Sequence, residues 1–211
     1  RFAGDAETRL AAIHRAAASG ADMALISRGG YGLTRLLDGI HYKAVARAVE
    51  KGMQFVGISD FTAFQNAVLA RTGAVTWAGP ALGEGFGVAR IPTEQNSGPD
   101  EIMEACFDDL IHGQGEGAGW RQHKDAASQT DYVMKNAVLW GGNLSVLCSL
   151  LGTPYFPDIK GGLLFLEDVH EHPYRIERML SQLLYAGVLG GQKAIILGQF
   201  TAYKAFPHDK G

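Results

Sequence analysis

The feature of the sequence that most constrains the fold is a regular alternation of helical and short apolar patterns. Residues 5–18 carry apolar side chains at helical spacing and are followed by the apolar run ADMALIS at 21–27. A second helical pattern at 41–52 is followed in the same way by QFVGI at 54–58, and a third at 60–71 comes next. Buried strands alternating with helices predict a parallel sheet covered by helices, which is the α/β class.

The last third of the chain repeats this alternation. Residues 137–154 predict a strand, a Gly-Gly turn and a helix, and LLFLEDV at 163–169 predicts a buried strand. An amphipathic helix is expected at 174–191 and a further strand at 193–200. A second α/β unit is therefore expected in the C-terminal part.

A polar, glycine-rich stretch lies between the two α/β patterns. Residues 113–131 have the composition of a linker or a mobile loop. We therefore predict an N-terminal domain at 1–115, a linker at 116–135 and a C-terminal domain at 136–211. The chain starts at Arg1 directly on a helical pattern, without Met, and we expect it to be truncated at both ends.

Composition excludes several functional classes. The net charge of -3 and the pI near 6.2 argue against a nucleic-acid partner. No apolar run reaches the roughly 18–20 residues of a membrane span, so no membrane partner is expected. Cys106 and Cys148 lie in apolar helical patterns and are predicted to be reduced core residues of a cytoplasmic protein.

The ends of the predicted strands hold the candidate site, because open α/β sheets bind ligands at the carboxyl ends of their strands. RGGYG at 28–32 follows the first strand, Ser59 and Asp60 follow the second, and Glu167 and Asp168 close the strand at 163–169.

Ser59 has two interpretations. It is a good residue for a helix N-cap, and it also lies where a strand-to-helix elbow would expose a nucleophile. At such an elbow the N–H of the next residue, Asp60, points at a developing oxyanion. The local pattern is G-x-S-D and not the G-x-S-x-G of α/β-hydrolases, so both interpretations stay open.

The RGGYG stretch is equally ambiguous from its residues. Its three glycines permit positive φ and close approach of the backbone to a ligand. It lacks the spacing of a P-loop and of a dinucleotide-binding turn. It is either a tight turn or the source of an oxyanion donor, with Tyr31 beside the pocket.

Glu167 and Asp168 should point to opposite faces of their strand. One of them could orient a histidine, as the acid of a catalytic triad does, or pair with Arg175 or Arg178 on the next helix. From the residues alone, the salt bridge is the simpler expectation.

The histidines give no clear base and no metal site. His170 and His172 have a spacing that some metal sites use, but no third ligand stands at a telling distance in the sequence. We therefore predict no metal and no cofactor.

Five blocks of the sequence, taken in order, resemble the LD-carboxypeptidase family of serine peptidases. That family includes murein tetrapeptide carboxypeptidases and microcin C immunity peptidases. The blocks are RGGYGLTRLLDGI, FVGISDFTAF, GGNLSVLCSLLGTP, LLFLEDVHEHPYRIERMLSQL and IILGQF.

The resemblance implies roles for particular residues. Ser59 matches the nucleophile and Glu167 the acid, while Gly30 and Asp60 would give the N–H groups of the oxyanion hole. The base would be a histidine in a G-H motif about 60–80 residues after Glu167, completing a Ser-His-Glu triad; His208 is too close to match it. Candidate substrate-binding residues are Arg28, Tyr31, Asn143 and Arg175.

The resemblance also implies a fold and an activity. The fold is a Rossmann-like N-terminal layer, similar to class I glutamine amidotransferases, with a smaller C-terminal α/β domain. The expected activity is cleavage of the bond between an L-centre and the terminal D-Ala of a murein tetrapeptide in cytoplasmic peptidoglycan recycling, by a homodimer. Two alternatives remain: a microcin C-type immunity peptidase, with Trp120 stacking on a base, and a non-catalytic binding module. His170 and His172 depart from the family pattern.

Overall fold

The structure, a computed structural model, describes residues 4–93, 97–115, 133–207 and 209. Within them the chain forms two three-stranded sheets in which every strand pair is parallel, in the orders β1-β2-β3 and β4-β5-β6. The strands are β1 (Met23–Leu25), β2 (Gln54–Gly57), β3 (Trp77–Ala78), β4 (Leu139–Asn143), β5 (Leu163–Val169) and β6 (Ala194–Thr201). The predicted α/β class is confirmed.

Helices alternate with the strands along the chain, as predicted. They are α1 (Ala6–Ala18), α2 (Tyr42–Glu50), α3 (Thr62–Thr72), α4 (Glu101–Ile111), α5 (Leu144–Ser149) and α6 (Pro173–Tyr185). The stretch Leu33–Gly39 forms a 3-10 helix, and Leu82–Phe86 forms a π-helical turn. No helix in the described ranges combines the length and the apolar character needed to cross a bilayer.

Two local predictions were wrong. Gly141 and Gly142 do not form a turn; they belong to β4, with φ of 113° and 121°. A Cβ on Gly142 would lie 2.7 Å from the Thr62 Oγ1 atom, so glycine allows α3 to approach the strand closely. Cys106 is exposed on α4, where Ile102 on the same helix is 75% exposed, whereas Cys148 is buried as predicted.

Helix α3 lies between the two sheets. Its residues Phe64 and Val68 belong to the N-terminal core with Phe55, while Leu69 packs against the C-terminal core around Trp140. Helix α3 therefore contributes apolar side chains to both cores, and burial of this apolar surface holds the two sheets in one arrangement.

Two buried polar residues of α3 add specific bonds to this packing. Thr62, only 1% exposed, accepts the Asn143 N–H at its Oγ1 atom over 3.0 Å. Asn66, 2% exposed, donates from Nδ2 to the Gly141 carbonyl over 2.8 Å. These bonds fix the start of α3 against the carboxyl end of β4.

Candidate active site

Ser59 lies in a strained elbow between β2 and α3. Its φ is 62°, a left-handed value that costs a non-glycine residue about 1–3 kcal/mol. Ile58 before it is extended, and the 3-10 turn Ser59–Phe61 leads directly into α3. The residue at the cap of this turn is Ile58 and the residue at the cap of α3 is Phe61, and neither makes a side-chain cap bond. The helix-cap interpretation of Ser59 was therefore wrong, while the elbow was predicted correctly.

The glycine turn packs directly against this serine. A Cβ on Gly29 would lie 2.9 Å from the Ser59 Cβ and 3.0 Å from its Oγ. Gly30 and Gly32 have φ of 141° and 93°, which favour glycine. Among the described residues, no acceptor is found for the N–H groups of Gly30 and Asp60. The turn therefore lies directly beside the Ser59 side chain, and an oxyanion role for its N–H groups stays a prediction.

The Asp60 side chain joins the elbow to the residues that follow the glycine turn. Its Oδ2 atom accepts the Leu33 N–H over 2.8 Å. Burial raises the pKa of this carboxyl, and the hydrogen bond from Leu33 acts in the opposite direction. The Asp60 side chain therefore holds the elbow and the residues after the glycine turn together.

The carboxylate of Glu84 holds the other side of the glycine turn. Its Oε2 atom accepts the Gly29 N–H over 2.8 Å, and its Oε1 atom lies 3.4 Å from the Arg28 Nε. Both ionic side chains remain substantially exposed. Glu84 was not predicted as a site residue, because it lies in the stretch ALGEGFG, which offers no signal beyond its glycines.

Glu167 and Asp168 point to opposite faces of β5, as predicted. Asp168 is 3% exposed and accepts three hydrogen bonds, from Asn143 Nδ2, the Ser145 N–H and the Val169 N–H, over 2.8–3.1 Å. Glu167 is half-buried on the other face. Burial, followed by the charge of Asp168, raises the pKa of the Glu167 carboxyl, and the Asn143 side chain lowers it. Asp168 is thus occupied within the C-terminal layer, whereas Glu167 lies on the opposite face of the strand.

The predicted salt bridge between these carboxylates and α6 does not form. Arg175 pairs instead with Glu171, and the Arg178 guanidinium lies 5.5 Å from the centre of the Tyr174 ring. The Asn143 amide bonds to Asp168 and accepts the Val146 N–H at the start of α5. Binding of substrate by Arg28, Tyr31, Asn143 and Arg175 stays a prediction.

The two histidines of the HEH stretch make separate contacts. His170 has φ of 68°, and its Nδ1 lies 2.9 Å from the Ala202 carbonyl oxygen. His172 pairs with Asp209 over 2.8 Å and stacks on Phe206. Within the described ranges, no three His, Cys, Asp or Glu side chains are grouped as metal ligands. Trp120 and His208 lie outside the described residues.

The contacts of α3 connect the Ser59 elbow to β4, the strand that pairs with β5 beside Glu167. Thr62 lies one helical turn after Ser59, and its partner Asn143 is opposite Glu167 in the β4–β5 register. The carboxyl ends of the two sheets therefore meet around this helix. A serine at a strained strand-to-helix elbow, with a glycine turn packed against its side chain, resembles the nucleophile elbow of α/β-hydrolases.

Comparisons with known proteins show the family of this chain. The family model described as the LD-carboxypeptidase N-terminal domain matches residues 1–79, and that of the C-terminal domain matches residues 136–210. A solved muramoyltetrapeptide carboxypeptidase from Oxalobacter formigenes is 38% identical with a TM-score of 0.77, covering 99% of this chain and 67% of that chain. The protein belongs to the LD-carboxypeptidase family.

Two further relatives are curated under different names. A probable murein peptide carboxypeptidase from Bacillus subtilis is 32% identical over 94% of this chain. The microcin C7 self-immunity protein MccF of Escherichia coli is 29% identical over 83%. A structure of MccF with aspartyl sulfamoyl adenosine shares the fold, with 22% identity, a TM-score of 0.74, and coverage of 98% of this chain and 67% of that chain. The chain spans 59% of the Bacillus protein's length and 55% of MccF's.

Proposed function

We propose that the full-length protein is a serine LD-carboxypeptidase that removes the terminal D-Ala from murein tetrapeptides. The observation that carries the proposal is the elbow of Ser59, with φ of 62° and the glycine turn packed against its side chain. Left-handed strain at a non-glycine residue is concentrated at functional sites. The likeness to the Oxalobacter muramoyltetrapeptide carboxypeptidase supports the choice of substrate.

In the proposed reaction, the Ser59 Oγ attacks the carbonyl carbon of the L-centre and passes its proton to a histidine held by Glu167. We assign this base to the histidine that the family resemblance places downstream of Glu167. The N–H groups of Gly30 and Asp60 bind the oxyanion. The C–N bond to D-Ala then breaks as the histidine protonates the leaving amine, and water hydrolyses the acyl-enzyme.

The test is D-alanine release from a murein tetrapeptide by the full-length protein. Ser59→Ala should reduce the rate by several orders of magnitude without loss of fold, because it removes the nucleophile. Ser149→Ala is a matched control, since this exposed hydroxyl donates to the Val146 carbonyl of its own helix. Equal rates for the wild type and Ser59→Ala would refute the proposal.

The second candidate is a peptidase that acts on a peptidyl or aminoacyl nucleotide, as the likeness to MccF suggests. In that case the wild type should cleave an aminoacyl sulfamoyl adenosine and leave the murein tetrapeptide intact, again with loss on Ser59→Ala. A protein inactive on both substrates, whose Ser59 takes no fluorophosphonate label, would be a binding module.

The remaining expectations form part of the proposal. We infer action in the cytoplasm as a homodimer, and a domain division at residues 116–135. The separate matches of residues 1–79 and 136–210 to two family models support that division. Light scattering on the full-length protein tests the dimer, and limited proteolysis tests the boundary.

A further inference from the structure

Glu84 lies on a segment anchored beside the end of β1. The Leu82 N–H donates to the Ile26 carbonyl over 2.8 Å, and the Gly83 N–H donates to the Ser27 carbonyl over 2.7 Å. A Cβ on Gly83 would lie 2.9 Å from the Ser27 oxygen, so the close contact requires glycine. The π-helical turn thus provides a fixed support for the Glu84 side chain.

The Glu84 carboxylate uses both oxygens on the glycine turn. One accepts the Gly29 N–H over 2.8 Å and the other lies 3.4 Å from the Arg28 Nε. Hydrogen bonds from a backbone N–H to a carboxylate are stronger than those between neutral groups. The carboxylate therefore fixes one end of the turn and occupies one of its backbone donors.

The position of Gly29 determines the position of the next donor. Because a peptide unit is planar and rigid, a displacement of Gly29 moves the Gly30 N–H with it. Gly29 also has no free space on the side of Ser59, where its Cβ would lie 3.0 Å from the serine Oγ. Small movements of Gly29 thus change the relation between the Gly30 N–H and the nucleophile.

We propose that Glu84 is a positioning residue, which binds the Gly29 N–H so that the Gly30 N–H faces the oxyanion formed at Ser59. The inference rests on the proposed function of Ser59. It assigns the two successive N–H groups to different tasks: that of Gly29 to the structure of the turn and that of Gly30 to the reaction. Glu84 itself touches neither the substrate nor the reacting atoms in this proposal.

The experiment compares three substitutions in the full-length protein. Glu84→Ala removes the acceptor, Glu84→Asp keeps the charge but shortens the reach by one methylene, and Glu84→Gln keeps an oxygen acceptor but removes the charge. Glu50→Ala, an exposed glutamate on α2, is the control. The measurements are kcat and KM for D-alanine release, the rate of fluorophosphonate labelling of Ser59, and the melting temperature.

Both kcat and the labelling rate should fall by about 10–100-fold in Glu84→Ala and Glu84→Asp, since misplacement of a catalytic group by about 1 Å has effects of this size. Glu84→Gln should recover kcat to within about threefold of the wild type, because its amide oxygen still accepts the Gly29 N–H. Both Glu84→Ala and Glu84→Gln remove the negative charge that pairs with Arg28. Any change in KM caused by the loss of this ion pair should therefore appear in both variants.

A kcat for Glu84→Ala and Glu84→Asp within twofold of the wild type would overturn the inference. Equal losses in Glu84→Gln and Glu84→Ala would also overturn it, because charge and not the hydrogen bond would then matter. If Glu84→Ala does not fold, the comparison of Glu84→Asp with Glu84→Gln decides. Failure of the proposed function is distinguishable, since the wild type would then neither release D-alanine nor take the label on Ser59.

Discussion

The hydroxyl of Thr62 is predicted to contribute measurably to the stability of the contact between the two sheets. It accepts the Asn143 N–H over 3.0 Å, and Thr62 is 1% exposed. Removing the hydroxyl leaves this N–H without an acceptor in a place that water does not reach. An unsatisfied buried donor costs about 1–3 kcal/mol.

The perturbation is a matched pair of substitutions, Thr62→Ser and Thr62→Ala. Both remove the methyl group, and only the second removes the acceptor. The difference between them therefore isolates the hydrogen bond from the loss of packing. Thr62→Val is less suitable, because its methyl group would take the place of an oxygen that lies 3.0 Å from a nitrogen.

The assay is reversible unfolding of the 211-residue chain by urea and by heat. Thr62→Ala should be less stable than Thr62→Ser by about 2 kcal/mol, which for a chain of this size corresponds to roughly 4–8 °C in the melting temperature. Thr34→Ala, at an exposed threonine, should differ little from Thr34→Ser. A difference of less than about 0.5 kcal/mol between the Thr62 variants would refute the reasoning.

Two further predictions concern the site and a third concerns the two cysteines. Gly29→Ala should reduce kcat by about 100-fold in a folded protein, because its Cβ would lie 2.9 Å from the Ser59 Cβ; unchanged kcat would contradict this contact. Glu167→Gln in the 211-residue chain should melt higher than the wild type at pH 7 and equally at pH below 4. The raised pKa of Glu167 means that the folded state holds this proton more tightly than the unfolded chain does, so stability is lost as the pH rises through that pKa. A lower melting temperature for Glu167→Gln than for the wild type at pH 7 would contradict this direction. Iodoacetamide at pH 8 should modify Cys106 and spare Cys148, because burial and Asp168 raise the pKa of the Cys148 thiol to about 11; mass spectrometry showing equal labelling would exclude this.

Periodicity predicted the elements because each helix and strand buries one face or one run of residues. The strand LLFLEDV is observed at its predicted bounds, Leu163–Val169, with alternate residues buried. The Gly-Gly pair was misassigned because a local pattern cannot show that another helix requires space at Gly142. Local composition favours a turn, and the approach of α3 overrides it.

The residues of the candidate site could be predicted where they lie at strand ends. They could not be predicted where their contacts join residues that are far apart in the sequence. Ser59 and Glu167 stand at the carboxyl ends of strands, where chemistry is expected. Thr62, Asn66 and Glu84 make contacts across 81, 75 and 55 positions of the chain, respectively. Residue spacing in the sequence does not predict such long-range hydrogen bonds.

The contact between Thr62 and β4 also limits how this family can exchange parts. Thr62 lies in the range matched by one family model, and its partners Gly142 and Asn143 lie in the range matched by the other. The residue type that fits at position 62 therefore depends on the residues at 142 and 143, and the reverse also holds. Covariation between these positions is therefore expected among homologues. A chimera that takes its N-terminal half from one relative and its C-terminal half from another should assemble only when both parents carry compatible residues at this junction.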